Sequence, residues 1–221
     1  MNRTTTPKAG VITGFGAFPG VLDNPTAEVV AAIAAQEPKW PGLVDLRVLE
    51  VTYAGNALAL DEIMRTGPAF VLMLGYSRHA SCITLETRAH DGRDPDSPDA
   101  DGVAGQAPAS ARDWQANASI DFAALEAALS RAGLPCELSG DAGDYVCNDL
   151  YRGALRRAQR AHPRPQVLFV HLPALPDTPL SETAAGSLPL ADMVRAIRIV
   201  FTFLQGGASQ GSRSGFVHAE S

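Results

Sequence analysis

Two rhythms of apolar residues alternate along this chain: short unbroken runs, and longer stripes that repeat every three or four positions. Gly10 to Phe15 (GVITGF) is a short apolar run with glycine near its end, and it predicts a buried strand entering a loop. Asn24-Pro25 predicts an N-cap with proline at the first helical position, and this helix continues to about Ala35. Val44 to Val48 alternates apolar with polar, as a strand with one wet face does. Gly55 to Arg65 has helical composition. Ala69 to Gly75 (AFVLMLG) is apolar throughout, which suits a central strand covered on both faces. Ser81 to Arg88 alternates in its middle, so Ile83 and Leu85 face one way and Cys82, Thr84 and Glu86 the other.

Asp91 to Pro108 is crowded with Asp, Pro and Gly and predicts a long surface loop, of a length that is often functional. Beyond it the pattern predicts a helix over Phe122 to Ala132, a strand over Cys136 to Ser139 and a helix over Asp149 to Ala161. A strand over Gln166 to Leu172 and a long amphipathic helix over Leu188 to Leu204 follow. Strands that alternate with helices predict an α/β fold, a three-layer α/β/α arrangement around a twisted, mainly parallel sheet. Ligand sites in such folds collect at the C-terminal ends of strands, which fall here near Gly14, Gly75, Ser139 and His171. No repeat or linker interrupts the pattern. Residues 1–205 are therefore expected to form one domain, and the Gly/Ser-rich residues 206–221 a disordered tail.

Composition narrows the function classes. The chain has 221 residues, 46% apolar and 19% charged, which is ordinary globular composition. A net charge of -6 leaves no electrostatic footprint for nucleic acid or an anionic membrane, so neither is an expected partner. No stretch reaches the roughly 18 apolar residues of a membrane span. Met1 to Ala9 is polar and leads straight into the first strand, so no signal peptide is expected. Three cysteines, Cys82, Cys136 and Cys147, are too few and too scattered for a disulfide framework, which points to a reducing, cytoplasmic setting.

Chemistry concentrates in a few places. Ser139 to Asn148 joins a strand to a helix and puts Cys147 at or near the helix N-terminus, where the helix dipole favours a thiolate. The competing reading is a small buried hydrophobe, the usual state of a free cysteine. His171 closes a strand on the side where ligands bind, so it could exchange a proton with the thiol; the alternative is a satisfied histidine at a core edge. Glu86 could hold and charge-stabilise that imidazole, or be a solvated residue on an open strand face. The loop Gly14 to Phe18 offers a wall for an apolar pocket; it lacks the third glycine of a dinucleotide fingerprint, and Phe15 and Phe18 could equally be core. His79, His90 and Asp91 cluster near Glu86 in sequence, but their spacing fits no zinc pattern. Cys82 and Cys136 read as buried structural thiols.

Taken together these segments resemble the pyroglutamyl-peptidase I (pyrrolidone-carboxylate peptidase) family of cysteine peptidases. Thr13 to Phe18 is similar to its opening loop, Asn24-Pro25-Thr26 to its Asn-Pro-Ser, and Ile83-Thr84-Leu85-Glu86 to the strand bearing its catalytic glutamate. Ser139 to Asn148 resembles its cysteine signature, with Tyr151 at the expected distance, and Phe169 to Pro173 followed by Leu175-Pro176 resembles its histidine motif. The resemblance runs from residue 10 to 204 in matching order. It implies a triad of Cys147, His171 and Glu86, and removal of N-terminal pyroglutamyl residues from peptides through a thioester acyl-enzyme. It implies a pyrrolidone-ring pocket walled by Phe15, Phe18, Tyr145 and Val146. No metal and no organic cofactor is implied, and cytoplasmic homo-oligomers, tetramers or dimers, are.

The chain departs from the family after Gly75. Where bacterial members carry Gly-Gln-Ala-Gly-Gly-Arg, this sequence has Gly75-Tyr76-Ser77-Arg78-His79-Ala80; Tyr76 stands at the glutamine position, so the resemblance implies that a polar contact to substrate is either lost or replaced there. Asp91 stands where Asn is usual. These changes leave open a cysteine amidase or peptidase with another N-terminal acyl specificity, and a non-catalytic binding protein on the same scaffold. A nucleoside phosphorylase would need a phosphate loop, and the sequence offers none that is clear.

Overall fold

The structure, a computed structural model, describes residues 10–36, 40, 44–108 and 111–211. The expectation for Met1 to Ala9 lies outside these residues. In chain order the elements are β1 (Gly10–Phe15), α1 (Pro25–Ala34), β2 (Val44–Leu49), α2 (Tyr53–Arg65), β3 (Phe70–Tyr76), β4 (Ile83–Glu86), β5 (Arg88–Ala89) and β6 (Gln115–Ala116). Then come α3 (Phe122–Arg131), β7 (Cys136–Ser139), α4 (Val146–Arg160), β8 (Gln166–Leu172) and α5 (Leu190–Gly211). Three helices begin as capping chemistry dictates. Asn24, Thr52 and Asp121 each accept a first-turn backbone N–H through the side chain, opening α1, α2 and α3. Residues 91–108 form neither helix nor strand, as their composition predicts.

Six strands make one sheet in the order β2-β1-β3-β8-β4-β7, and β5 pairs with β6 in a separate two-stranded ladder. The first four strands of the large sheet are parallel. β4 then runs antiparallel to β8, and β7 follows β4 in parallel. The reversal has a simple cause: only residues 77–82 join β3 to β4. A parallel return needs a crossover of about a dozen residues or more, so a short link can only send the chain back the other way.

Helices cover both faces. On one, Ile12, Leu72, Leu74, Leu168 and Val170 pack with α1, α3 and α5. On the other, Val11, Val71, Met73, Val167 and Phe169 pack with α2 and α4. Both faces of β3 and β8 are thus dry, which explains their unbroken apolar runs. Ile83 and Leu85 turn toward the first layer, while Thr84 and Glu86 turn away from it, as the alternation predicts.

Two expectations about helix ends need correction, and the one about strand ends is met differently than a parallel sheet would meet it: β7 runs opposite to β8, yet Ser139 lines the same cavity as His171. Ser139 pairs with Glu86, which pairs with Phe169, two residues short of His171 along β8. α4 starts at Val146 rather than Asp149, because Val146 and Leu150 are both buried one turn apart. α5 continues to Gly211, through part of the expected tail; residues 212–221 lie outside those described.

Candidate active site

Cys147 is the second residue of α4, the helix that lies over β3 and β8. Its sulfur rests against the backbone of Gly75: a Cβ added there would stand 2.9 Å from Cys147 Sγ and 2.7 Å from Phe169 Cζ. Real Cβ atoms do not come that close, so an interior strand glycine marks a close approach here. Gly75 is the register partner of His171 on the neighbouring strand, which brings imidazole and sulfur together. Gly75→Ala is expected to push the sulfur out of line and cut kcat/KM about 10²-fold, the scale on which a 1 Å misplacement acts. Turnover measured beside thermal unfolding separates that from a simple loss of fold.

His171 is hydrogen-bonded to Glu86 and interacts electrostatically with the Cys147 side chain. Nδ1 stands 2.8 Å from Glu86 Oε1. A carboxylate can only accept, so Nδ1–H donates and Nε2 is left for the thiol. Both Glu86 and His171 are buried. Burial alone would lower the imidazole pKa, but the interactions with Cys147 and Glu86 outweigh it and push the value up to about 9. The Tyr151 hydroxyl donates to the Glu86 carbonyl oxygen at 2.8 Å and fixes the strand behind the carboxylate. Glu86 Oε2 is buried without a hydrogen-bond partner among the described residues.

The start of α4 differs from those of α1, α2 and α3. Tyr145 is its N-cap and makes no side-chain cap hydrogen bond. The first-turn N–H groups beside Cys147 therefore keep donor capacity that α1, α2 and α3 spend on their caps. The preceding turn needs a left-handed residue, and Gly143 supplies it with φ 82°.

A cavity of about 660 Å³ opens over these groups. Cys147, His171 and Glu86 line it, with Phe18, Tyr76 and Tyr145 as aromatic walls and Arg78, His79, Glu137 and Asp141 among its polar lining. Burial raises the phenol pKa of both Tyr76 and Tyr145. Two expected wall residues are elsewhere. Phe15 and Val146 are buried in the core layer between the sheet and helices α2 and α4, and their side chains do not line the cavity. The cause is alternation: in β1 Phe15 continues the inward series of Val11, and in α4 Val146 continues that of Leu150 and Ala154.

His79, His90 and Asp91 do not converge. His79 is exposed and accepts from Arg78 Nε at 3.1 Å, while His90 is buried and faces Asp141 and Asp144. Among the described residues no group of three His, Cys, Asp or Glu is arranged to hold a metal ion. Cys82 and Cys136 are half-buried rather than buried, and burial, with the nearby Glu137 charge, raises the Cys82 thiol pKa. Thr84 also lines the cavity, from the strand face it shares with Glu86, and the close approach at Gly75 has one signal in the sequence, a glycine inside an apolar strand.

The profile described as pyroglutamyl peptidase matches residues 8–205 of this chain. A pyrrolidone-carboxylate peptidase of Gloeobacter violaceus is 29% identical over 202 residues, which cover 88% of this chain and 96% of that one. Its counterpart in Streptococcus suis is 28% identical over 194 residues, 86% of this chain and 88% of the other. The crystal structure of the pyrrolidone carboxyl peptidase of Fervidobacterium islandicum AW-1 superposes with a TM-score of 0.79 at 26% identity, covering 90% of this chain and 99% of that chain.

Proposed function

Because this chain belongs to the pyroglutamyl peptidase family, we propose that Cys147, His171 and Glu86 carry its hydrolysis of the amide bond after an N-terminal pyroglutamyl residue. The observation that supports this most is that His171, hydrogen-bonded to Glu86, lines one cavity with Cys147, whose sulfur rests against Gly75, the register partner of His171.

The Cys147 thiolate attacks the pyroglutamyl carbonyl carbon. Negative charge moves to the carbonyl oxygen, where first-turn N–H groups of α4 are placed to receive it. The C–N bond then breaks as His171 Nε2–H passes its proton to the departing amine, leaving a thioester on sulfur. Water attacks the thioester, gives a proton back to His171 and expels the thiolate. Glu86 holds the ring in the Nδ1–H form and stabilises the imidazolium present between these steps. The lactam ring has one donor and one acceptor and is otherwise apolar, which suits a slot walled by Phe18, Tyr76 and Tyr145.

The test is a panel of pyroglutamyl, prolyl and acetyl anilides. Turnover of the pyroglutamyl compound, exceeding the prolyl one by about 10⁴-fold where lactam partners are left unpaired, supports the reading. Turnover of the acetyl compound at equal rate would assign the site to another acyl group. The rate should also fall as pH rises through about 9, where His171 loses the proton it gives to the amine. A rate still climbing at pH 10 would remove His171 as the acid.

The reading extends to the setting of the protein. Three free cysteines suit a reducing cytoplasm. Among the described residues no helix is long and apolar enough to cross a membrane. Residues 1–205 are taken as one peptidase domain acting in a homo-oligomer, a dimer or tetramer, which light scattering of the purified chain would test.

A further inference from the structure

We propose that His90 is a positioning residue: from behind the active site, it clamps the turn that delivers Cys147. This rests on the peptidase reading above and adds a residue that the reaction itself does not use.

The His90 side chain is wholly buried. Its Nδ1 accepts the Gly92 N–H at 2.9 Å, so Nε2 carries the donor proton. Nε2 lies 3.3 Å from Asp141 Oδ1 and 3.3 Å from Asp144 Oδ1. Neither contact has hydrogen-bond geometry, and His90 Nε2 and Asp144 Oδ1 are both buried with no hydrogen-bond partner among the described residues, so the link is the electrostatic attraction of one polar N–H to two carboxylates. Arg112 closes the group from the solvent side, at 2.6 Å to Asp144 Oδ2 and 3.7 Å to Asp141 Oδ2. Trp114 packs edge-on against the imidazole with ring centroids 4.6 Å apart. Arg88 lies over that indole and donates to the Gly140 carbonyl at 2.6 Å.

The His90 backbone grips the other side of the nucleophile. Its N–H donates to Asn148 Oδ1 at 3.0 Å, and Asn148 Nδ2 returns a bond to the His90 carbonyl at 2.9 Å. Asn148 is the next residue after Cys147. One histidine thus ties down the chain on both sides of the sulfur: Asp141 and Asp144 before it, Asn148 after it. The turn between them lines the cavity and leads into the uncapped first turn of α4. The polar Nε2–H of a buried imidazole attracts the two carboxylates of that turn, which an apolar side chain of similar size would not do.

The test compares His90→Leu, which fills the space, with His90→Gln, whose terminal amide can still donate toward the aspartates. On a pyroglutamyl anilide, His90→Leu is expected to lose about 10- to 100-fold in kcat with KM little changed, as misaligned groups do, and His90→Gln to recover most of it. Asp144→Asn removes one of the two carboxylate charges from the exposed side and should give a similar kcat loss even if His90→Leu does not fold. Combined with His90→Leu it should add little, because the two act through one contact. Amide hydrogen exchange over residues 141–147 should quicken in His90→Leu. Unchanged kcat in folded His90→Leu, or a fully additive double variant, would overturn the proposal. So would exchange over 141–147 that stays as slow as in the parent protein. If the parent protein turns over no pyroglutamyl substrate, the peptidase reading fails instead, and the exchange measurement still decides whether His90 clamps the turn.

Discussion

Cys147→Ala is expected to lower kcat on a pyroglutamyl anilide by at least about 10⁴-fold, since removing the nucleophile of a catalytic triad leaves only binding and oxyanion stabilisation. The fold should survive. Only a sulfur atom is lost, at a half-buried position facing a cavity, and such changes typically cost about 1 kcal/mol or less. Two further readouts belong to the same variant. First, the His171 pKa should fall below about 9, because the interaction with Cys147 is among the causes that raise it. A proton NMR titration of the ring would show this. Second, fast alkylation at neutral pH should disappear. Of the other two thiols, Cys82 has its pKa raised by burial, which lowers its thiolate fraction and its reactivity. Full activity in Cys147→Ala would remove the nucleophile from the mechanism, whatever the other readouts.

Much of this arrangement is legible in the chain before any coordinates. β3 and β8 are apolar without interruption because both faces are covered, and that pattern survives in the sequence. Glu86 is readable because Thr84 and Glu86 alternate with Ile83 and Leu85, whose apolar side chains fix which face is core. Cys147 is readable from the strand–turn–helix joint around it. Other features are set by contacts that spacing does not encode. Asn148 is buried inside the first turn of α4, with its amide spent on His90 and Gly92, contacts far away in sequence. That misplaces the start of α4 by three residues, and with it the direction of Val146. Phe15 belongs to the core by its strand phase, while Phe18, three residues on and past the strand end, reaches the cavity. The reversal of β4 was written in the short link of residues 77–82, a signal present in the sequence but outweighed by the regular alternation of strands and helices.

Glu86→Gln is the more informative of the two triad substitutions, because it keeps shape and changes only charge. The glutamine oxygen can still accept from His171 Nδ1–H, so the ring should stay in place. Its new amide group, however, falls where Oε2 now lies, buried and without a partner among the described residues. A donor left unsatisfied there costs about 1–3 kcal/mol of stability. The larger effect is electrostatic. With the carboxylate neutralised, the imidazolium that forms between attack and amine departure loses its counter-charge, and kcat should fall by about 10²- to 10⁴-fold. The sign of the pH effects follows from the His171 pKa. In the parent protein it is raised from an ordinary 6.5 to about 9, so the paired imidazolium stabilises the fold at pH 6.5 and loses that contribution as pH rises through about 9. Glu86→Gln removes part of this. The stability gap between variant and parent should therefore be widest near pH 6.5 and narrow toward pH 9 and above, by chemical denaturation across that range. The alkaline fall in turnover should move to lower pH in step. A variant with parental kinetics and a stability gap that does not change with pH would reduce Glu86 to a packing residue, and the ring would then be held by Cys147 and the burial of His171 alone.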